Sequence, residues 1–186
     1  MGGEGGDHSK IIWYRDRFEV LAHAAALAPV EGLILEFGVA SGGTIRALAE
    51  SVALRDRKIF GFDSFKGLSQ SWGSYAPGHF ACEPPHVPDN VELVIGRFEE
   101  TLKPFLGKHQ GAVALVHLDA DLYSSTKFVL DALTLRIIPG TVIELDEYWI
   151  VTDHERRAFN EWLTKTGRTC RHEARALEQL LVTMES

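Results

Sequence analysis

Five short runs of almost unbroken apolar residues, 33–37, 59–62, 91–95, 113–118 and 141–145, constrain this chain more than any other feature. Runs of that length without alternation mark strands covered on both faces, and parallel strands need long crossover connections rather than tight hairpins. The spacing supplies those crossovers as helical patterns over 44–54, 98–106 and 125–137, the last stopped by Pro139 and Gly140. A further helix is predicted over 11–28, with Ile12, Trp13, Phe18, Leu21, Ala25 and Leu27 near helical spacing ahead of Pro29. Beyond the fifth run come a helix over 154–165 and two β-prone stretches, 169–174 and 179–183, which fit an antiparallel hairpin at the sheet edge. The fold class is therefore α/β: a doubly wound, mostly parallel seven-stranded Rossmann-like sheet with an edge hairpin and an N-terminal helix.

The 186 residues fit one domain, 11–186, preceded by a glycine-rich stretch, "MGGEGGDHSK", that reads as a flexible leader over 1–10. That stretch lacks the charged-then-apolar design of a secretory signal, which points to a cytoplasmic location. Nineteen basic residues against 26 acidic ones give a net charge of −7, the opposite of a nucleic-acid footprint. No apolar run approaches the ~20 residues of a membrane span. Cys82 and Cys170 form neither a disulfide framework nor a metal-binding spacing and read as reduced thiols.

In open α/β sheets ligands bind beyond the carboxyl ends of the strands. After the first run the chain reads "ILEFGVASGGTIRALAE", with Glu36, Gly38, Ser41, Gly42 and Gly43 between strand and helix. Glycine there admits close backbone approach, and the helix that follows aims its free N–H groups at the same spot. The order G-V-A-S-G-G lacks the G-x-G-x-x-G spacing of pyrophosphate-bearing cofactors. Asp63, just past the second run, stands about 20 residues beyond the loop, where an acid meets a ribose, and it equally suits a turn or helix cap. A nucleoside without phosphates, with its ammonium accepted by Glu36 or a loop carbonyl, fits these demands, and S-adenosylmethionine is such a nucleoside.

Together "LEFGVASGGTIRALAE", "GFDSFKGL", "GRFEETL", "HLDADLYSST" and "PGTVIELDEYW", in that order over 33–149, resemble class I S-adenosylmethionine-dependent methyltransferases. The likeness is to the macrocin O-methyltransferase family, which methylates sugars of macrolide antibiotics. It implies cofactor contacts from Glu36, Gly38, Ser41, Gly42 and Thr44, ribose binding by Asp63, and adenine-side contacts from Ser64, Gly96, Arg97 and Phe98. It also implies a divalent metal, usually Mg²⁺, on Asp119, Asp146 and Glu147. The last of these positions is commonly Asp, and Glu147 adds a methylene. Such a metal would clamp acceptor hydroxyls and lower the pKa of the attacking one. Without it, Asp119 could bind the cofactor's amino group or act as base.

Other residues carry two readings. Asp121 suits a turn anchor or a ligand, His117 a hydrogen-bonded core position rather than a base, and His154 either the acceptor's base or the first turn of a helix. Tyr123 is a further candidate for the site wall. The long Gly- and Pro-rich stretch between Lys66 and Val91 reads as an acceptor lid, its Trp72, Tyr75 and Phe80 stacking on an acceptor or pinning the loop. The reading as a whole is an O-methyltransferase acting on a small-molecule hydroxyl, with a homodimer allowed by the apolar stripe of the first helix. A nucleotide-cofactor oxidoreductase and a non-catalytic S-adenosylmethionine-binding domain are the alternatives.

Overall fold

The computed structural model describes residues 11–185, so the leader expected over 1–10 lies outside the described residues. In chain order the elements are β1 (Ile12–Trp13), α1 (Arg17–Leu27), β2 (Leu33–Phe37), α2 (Gly43–Glu50), β3 (Ile59–Asp63), β4 (Val91–Ile95) and α3 (Phe98–Lys108). There follow β5 (Val113–Leu118), α4 (Tyr123–Leu133), β6 (Val142–Leu145), α5 (His154–Thr166), β7 (Cys170–Arg175) and β8 (Leu180–Met184). They build one sheet in the order β1-β7-β8-β6-β5-β2-β3-β4. β2 through β6 run parallel to one another, and β8 is antiparallel to both β6 and β7.

The seven expected strands are present, and an eighth adds to them: the helix predicted over 11–28 is split. Ile12 and Trp13 pair in parallel with Ala174 and Arg175, and the Arg175 guanidinium lies 4.1 Å from the Trp13 ring centre and 4.3 Å from that of Trp149. The helix starts only at Arg17 because Asp16 caps it, its carboxylate accepting from the N–H groups of Phe18 and Glu19. Both faces of the sheet are covered. Val20, Leu21 and Ala24 of α1 and Ile45 and Leu48 of α2 pack on Ile34 and Leu115. On the other face Leu102, Leu130, Phe159 and Trp162, from α3, α4 and α5, pack on Phe37, Phe62 and Leu118. The chain runs outward from β2 to β4, then returns to β5 on the opposite side of β2. That reversal opens a crevice at the carboxyl ends of β2 and β5. Cys82 and Cys170 are both free thiols, as expected. No helix among the described residues is long and apolar enough to cross a membrane.

Candidate active site

A cavity of about 300 Å³ occupies that crevice, walled by the ends of β2 through β6. Its floor is the loop after β2. Gly38 sits at φ +95°, and a Cβ there would lie 1.8 Å from the Asp119 carbonyl oxygen, so the tips of β2 and β5 touch only because the residue is glycine. Asp63 holds the loop in place: its Oδ2 accepts from the N–H groups of Val39 at 2.9 Å and Ala40 at 2.8 Å, and its Oδ1 from Phe65 N–H at 2.8 Å. A carboxylate offers about four lone-pair sites, so Asp63, which also lines the cavity, keeps room for one more donor.

The expected cofactor residues divide between the wall and the layer beneath it. Gly38, Asp63, Ser64, Gly96, Arg97, Phe98 and Asp119 line the cavity. Glu36 does not: it is fully buried, one carboxylate oxygen accepting from Thr44 Oγ1 at 2.9 Å and the other 3.1 Å from His117 Nδ1. His117 Nε2 is in turn 2.9 Å from Glu144, and the three residues are register partners across β2, β5 and β6. Burial works against a charged imidazole, but Glu144 and Glu36 outweigh it and raise the His117 pKa well above the ordinary histidine value. Ser41 is exposed, its carbonyl accepting from Arg46, and Gly42, at φ +80°, faces Pro85. Neither lines the cavity.

Acids crowd the opposite wall. Ligand atoms of Asp119, Asp121 and Glu147 lie within 4.8 Å of one another, as do those of His117, Asp119 and Asp146. The expected trio is thus spread over two groups that share Asp119, and Asp121, in the left-handed region at φ 55°, joins it. Burial, then the charge of Asp146, raises the Asp119 pKa well above the ordinary carboxylate value. Burial and neighbouring carboxylates, Glu155 first among them, push Glu147 up to about 10, and burial with Asp146 and Asp63 pushes Asp121 up to about 6. Among the described residues Glu147 Oε2 is buried without a hydrogen-bond partner. Crowded oxygen donors of this kind suit a hard divalent cation.

Two residues that the sequence reading passed over complete this wall. Arg17, the first residue of α1, reaches Asp146 Oδ2 at 2.8 Å and Asp119 Oδ2 at 3.5 Å. Glu155 is fully buried and accepts from the backbone N–H groups of Ala120 and Glu147, both at 3.0 Å, clamping the loops after β5 and β6 together. Its neighbour His154 opens α5 and is not among the lining residues. Tyr123 is not among them either. Of the lid aromatics Phe80 lines the cavity, while Trp72 and Tyr75 stack on each other at 5.5 Å behind it. The loop is closed on itself by Leu68 N–H to His79 O and Gly78 N–H to Leu68 O.

Residues 35–148 match a family described as "Methyltransferase domain". An 8-demethyl-8-(2,3-dimethoxy-α-L-rhamnosyl)-tetracenomycin-C 4′-O-methyltransferase from Streptomyces olivaceus is 30% identical over 162 residues, covering 74% of this chain and 60% of that protein. The chain therefore spans less than two thirds of that curated relative. Among solved structures, the calicheamicin methyltransferase CalS11 superposes with a TM-score of 0.70 at 26% identity, over 89% of this chain and 76% of that one. The O-methyltransferase NovP does so with a TM-score of 0.71 at 20% identity, over 91% of this chain and 80% of that one, a likeness of fold.

Proposed function

Because the chain belongs to the methyltransferase-domain family, we propose that it transfers the methyl group of S-adenosylmethionine to a hydroxyl of a sugar-bearing small molecule. One observation carries the reading: the glycine cradle at Gly38 and the acids Asp119, Asp146 and Glu147 line the same cavity. The names of the relatives, one acting on a rhamnosyl group and one titled TDP-rhamnose 3′-O-methyltransferase, support a sugar as acceptor. The oxidoreductase alternative has neither the dinucleotide spacing nor the family match behind it.

Bound S-adenosylmethionine supplies an electrophilic methyl group, and a bound divalent cation supplies Lewis acidity to the acceptor oxygen. The rest is the work of the chain. Gly38 lets the backbone approach the cofactor, Asp63 accepts from one ribose hydroxyl with its remaining lone pair, and Ser64, Arg97 and Phe98 form the nucleobase side of the wall. As the new oxygen–methyl bond forms and the sulfur–methyl bond breaks, the hydroxyl proton must leave. In the absence of a metal, Asp119, which lines the cavity, would take it. Asp119, Asp146 and Glu147, joined by Asp121, are the residues that would hold Mg²⁺. Phe80 is the aromatic of the lid loop that would face the bound reactants.

Calorimetry with the product S-adenosylhomocysteine tests this reading. The protein should bind it, and Asp63→Ala should weaken binding at least about tenfold, since it removes the ribose acceptor and frees two loop N–H groups together. Folded protein that binds neither S-adenosylmethionine nor its product would end the methyltransferase reading. Binding without transfer to any sugar hydroxyl would leave the non-catalytic domain.

A further inference from the structure

The acidic wall already contains a cation. Arg17 is delivered by α1, which is anchored by buried Val20, Leu21 and Ala24 and held at its start by the Asp16 cap. Its guanidinium meets Asp146 at Oδ2. The choice of oxygen matters, because Asp146 is 1% exposed and its other oxygen lies 3.2 Å from Gln179 Nε2. Oδ2 is thus the oxygen of Asp146 left without a hydrogen bond from the layer behind it. A divalent ion bound through Oδ2 meets the atom that Arg17 holds, and two cations of total charge +3 at contact distance from it repel each other strongly.

We propose that Arg17 is the resident counter-ion of this wall and that a divalent metal enters only by displacing it from Asp146 and Asp119. The inference rests on the metal reading above. Three features make displacement feasible. The Arg17 side chain is 36% exposed, so open solvent lies beside it. Glu144 and Glu178 also act on its charge, and Glu178 sits in the turn between β7 and β8. Asp121 and Glu147 are not in ion-pair contact with Arg17, so part of the donor set stays open for an arriving ion while the arginine is in place. Arg17 would then lower metal affinity and couple metal entry to the first turn of α1. In the metal-free protein it offsets part of the repulsion between Asp119 and Asp146.

Mn²⁺ binding, followed through the electron paramagnetic resonance signal of the free ion, tests the proposal without any acceptor. Wild type should bind weakly and Arg17→Met at least about tenfold more tightly, because the competing charge-assisted bond is gone. Arg17→Lys keeps the charge but loses the two-pronged contact and should fall between them. It also serves as the test variant if the methionine variant folds poorly. Asp146→Asn should abolish tight binding in both backgrounds. Thermal denaturation gives a second readout: Mn²⁺ should raise the midpoint of Arg17→Met more than that of wild type. Equal or weaker binding by the Arg17 variants, with Asp146→Asn still abolishing it, would overturn the competition and leave the metal reading standing. Absence of Mn²⁺ binding in every variant would overturn both.

Discussion

Cys170, the first residue of β7, has lost the chemistry of a free thiol through its surroundings: burial, with Glu185 adding, pushes it up to about 12. An unfolded cysteine ionises near 8.5, so the folded chain keeps a proton that the unfolded chain gives up. The stability this contributes is complete below the unfolded value and is lost as pH rises towards about 12. Iodoacetamide at pH 8 should label Cys170 far more slowly in the native protein than after denaturation, as read by mass spectrometry; native labelling at the rate of a free thiol would contradict the shielding of this thiol. Single residues were legible in proportion to how local their role is. Asp63 was readable as a ribose acid and as a turn anchor, and its three backbone bonds show the second role in full. The core reading of His117 matches its place between Glu36 and Glu144. Arg17 and Glu155 were not legible. One looks like any polar residue at a helix start and the other like a first-turn acid, and each acquires its task only when distant strands arrive beside it.

The long loop between β3 and β4 behaves as a small element of its own. Tyr75 stacks on Trp72 and on His79, and Phe80 closes the group at 5.2 Å from Tyr75. Aromatic pairs contribute roughly 0.5–1.5 kcal/mol each beyond their burial. Trp72→Ala should therefore speed hydrogen exchange at the Leu68 and Gly78 amides at least about tenfold while leaving β2 and β5 unchanged. Unchanged exchange at those two amides would mean that the rings do not pin the loop. Elements read best where burial is two-sided. The central strands are continuous apolar runs because helices cover both faces. Boundaries read worse, since they depend on tertiary partners. Ile12 and Trp13 suit a helix as well as a strand until β7 is there to pair with them. The helix expected over 125–137 stops at Leu133, after which the chain turns so that Arg136 can donate to the carbonyls of Leu106, His109 and Gly111.

At the scale of the whole molecule the sheet is stitched from non-neighbouring pieces, and β1 is its last stitch. Trp13→Ala removes the Arg175 stack on this exposed ring and should cost about 0.5–1 kcal/mol in urea unfolding with an unchanged m-value. An unchanged midpoint would mean that β1 adds nothing to global stability. The doubly wound order was legible because alternating elements permit few topologies. The cavity was legible at its glycine and acid sides, whose residues follow strands directly. Its third side, the start of α1, was not, because its place beside the acids is set by packing against residues far along the chain, such as Leu115. The pairing of β1 with β7 gives the molecule a history as well as a shape. In the order of synthesis Trp13 leaves the ribosome well before β7, the strand it pairs with, which ends at Arg175. A nascent chain long enough to carry every acid of the cavity still lacks that partner strand. Until β7 emerges β1 has nothing to pair with, and the arginine's place at the acidic wall rests on α1.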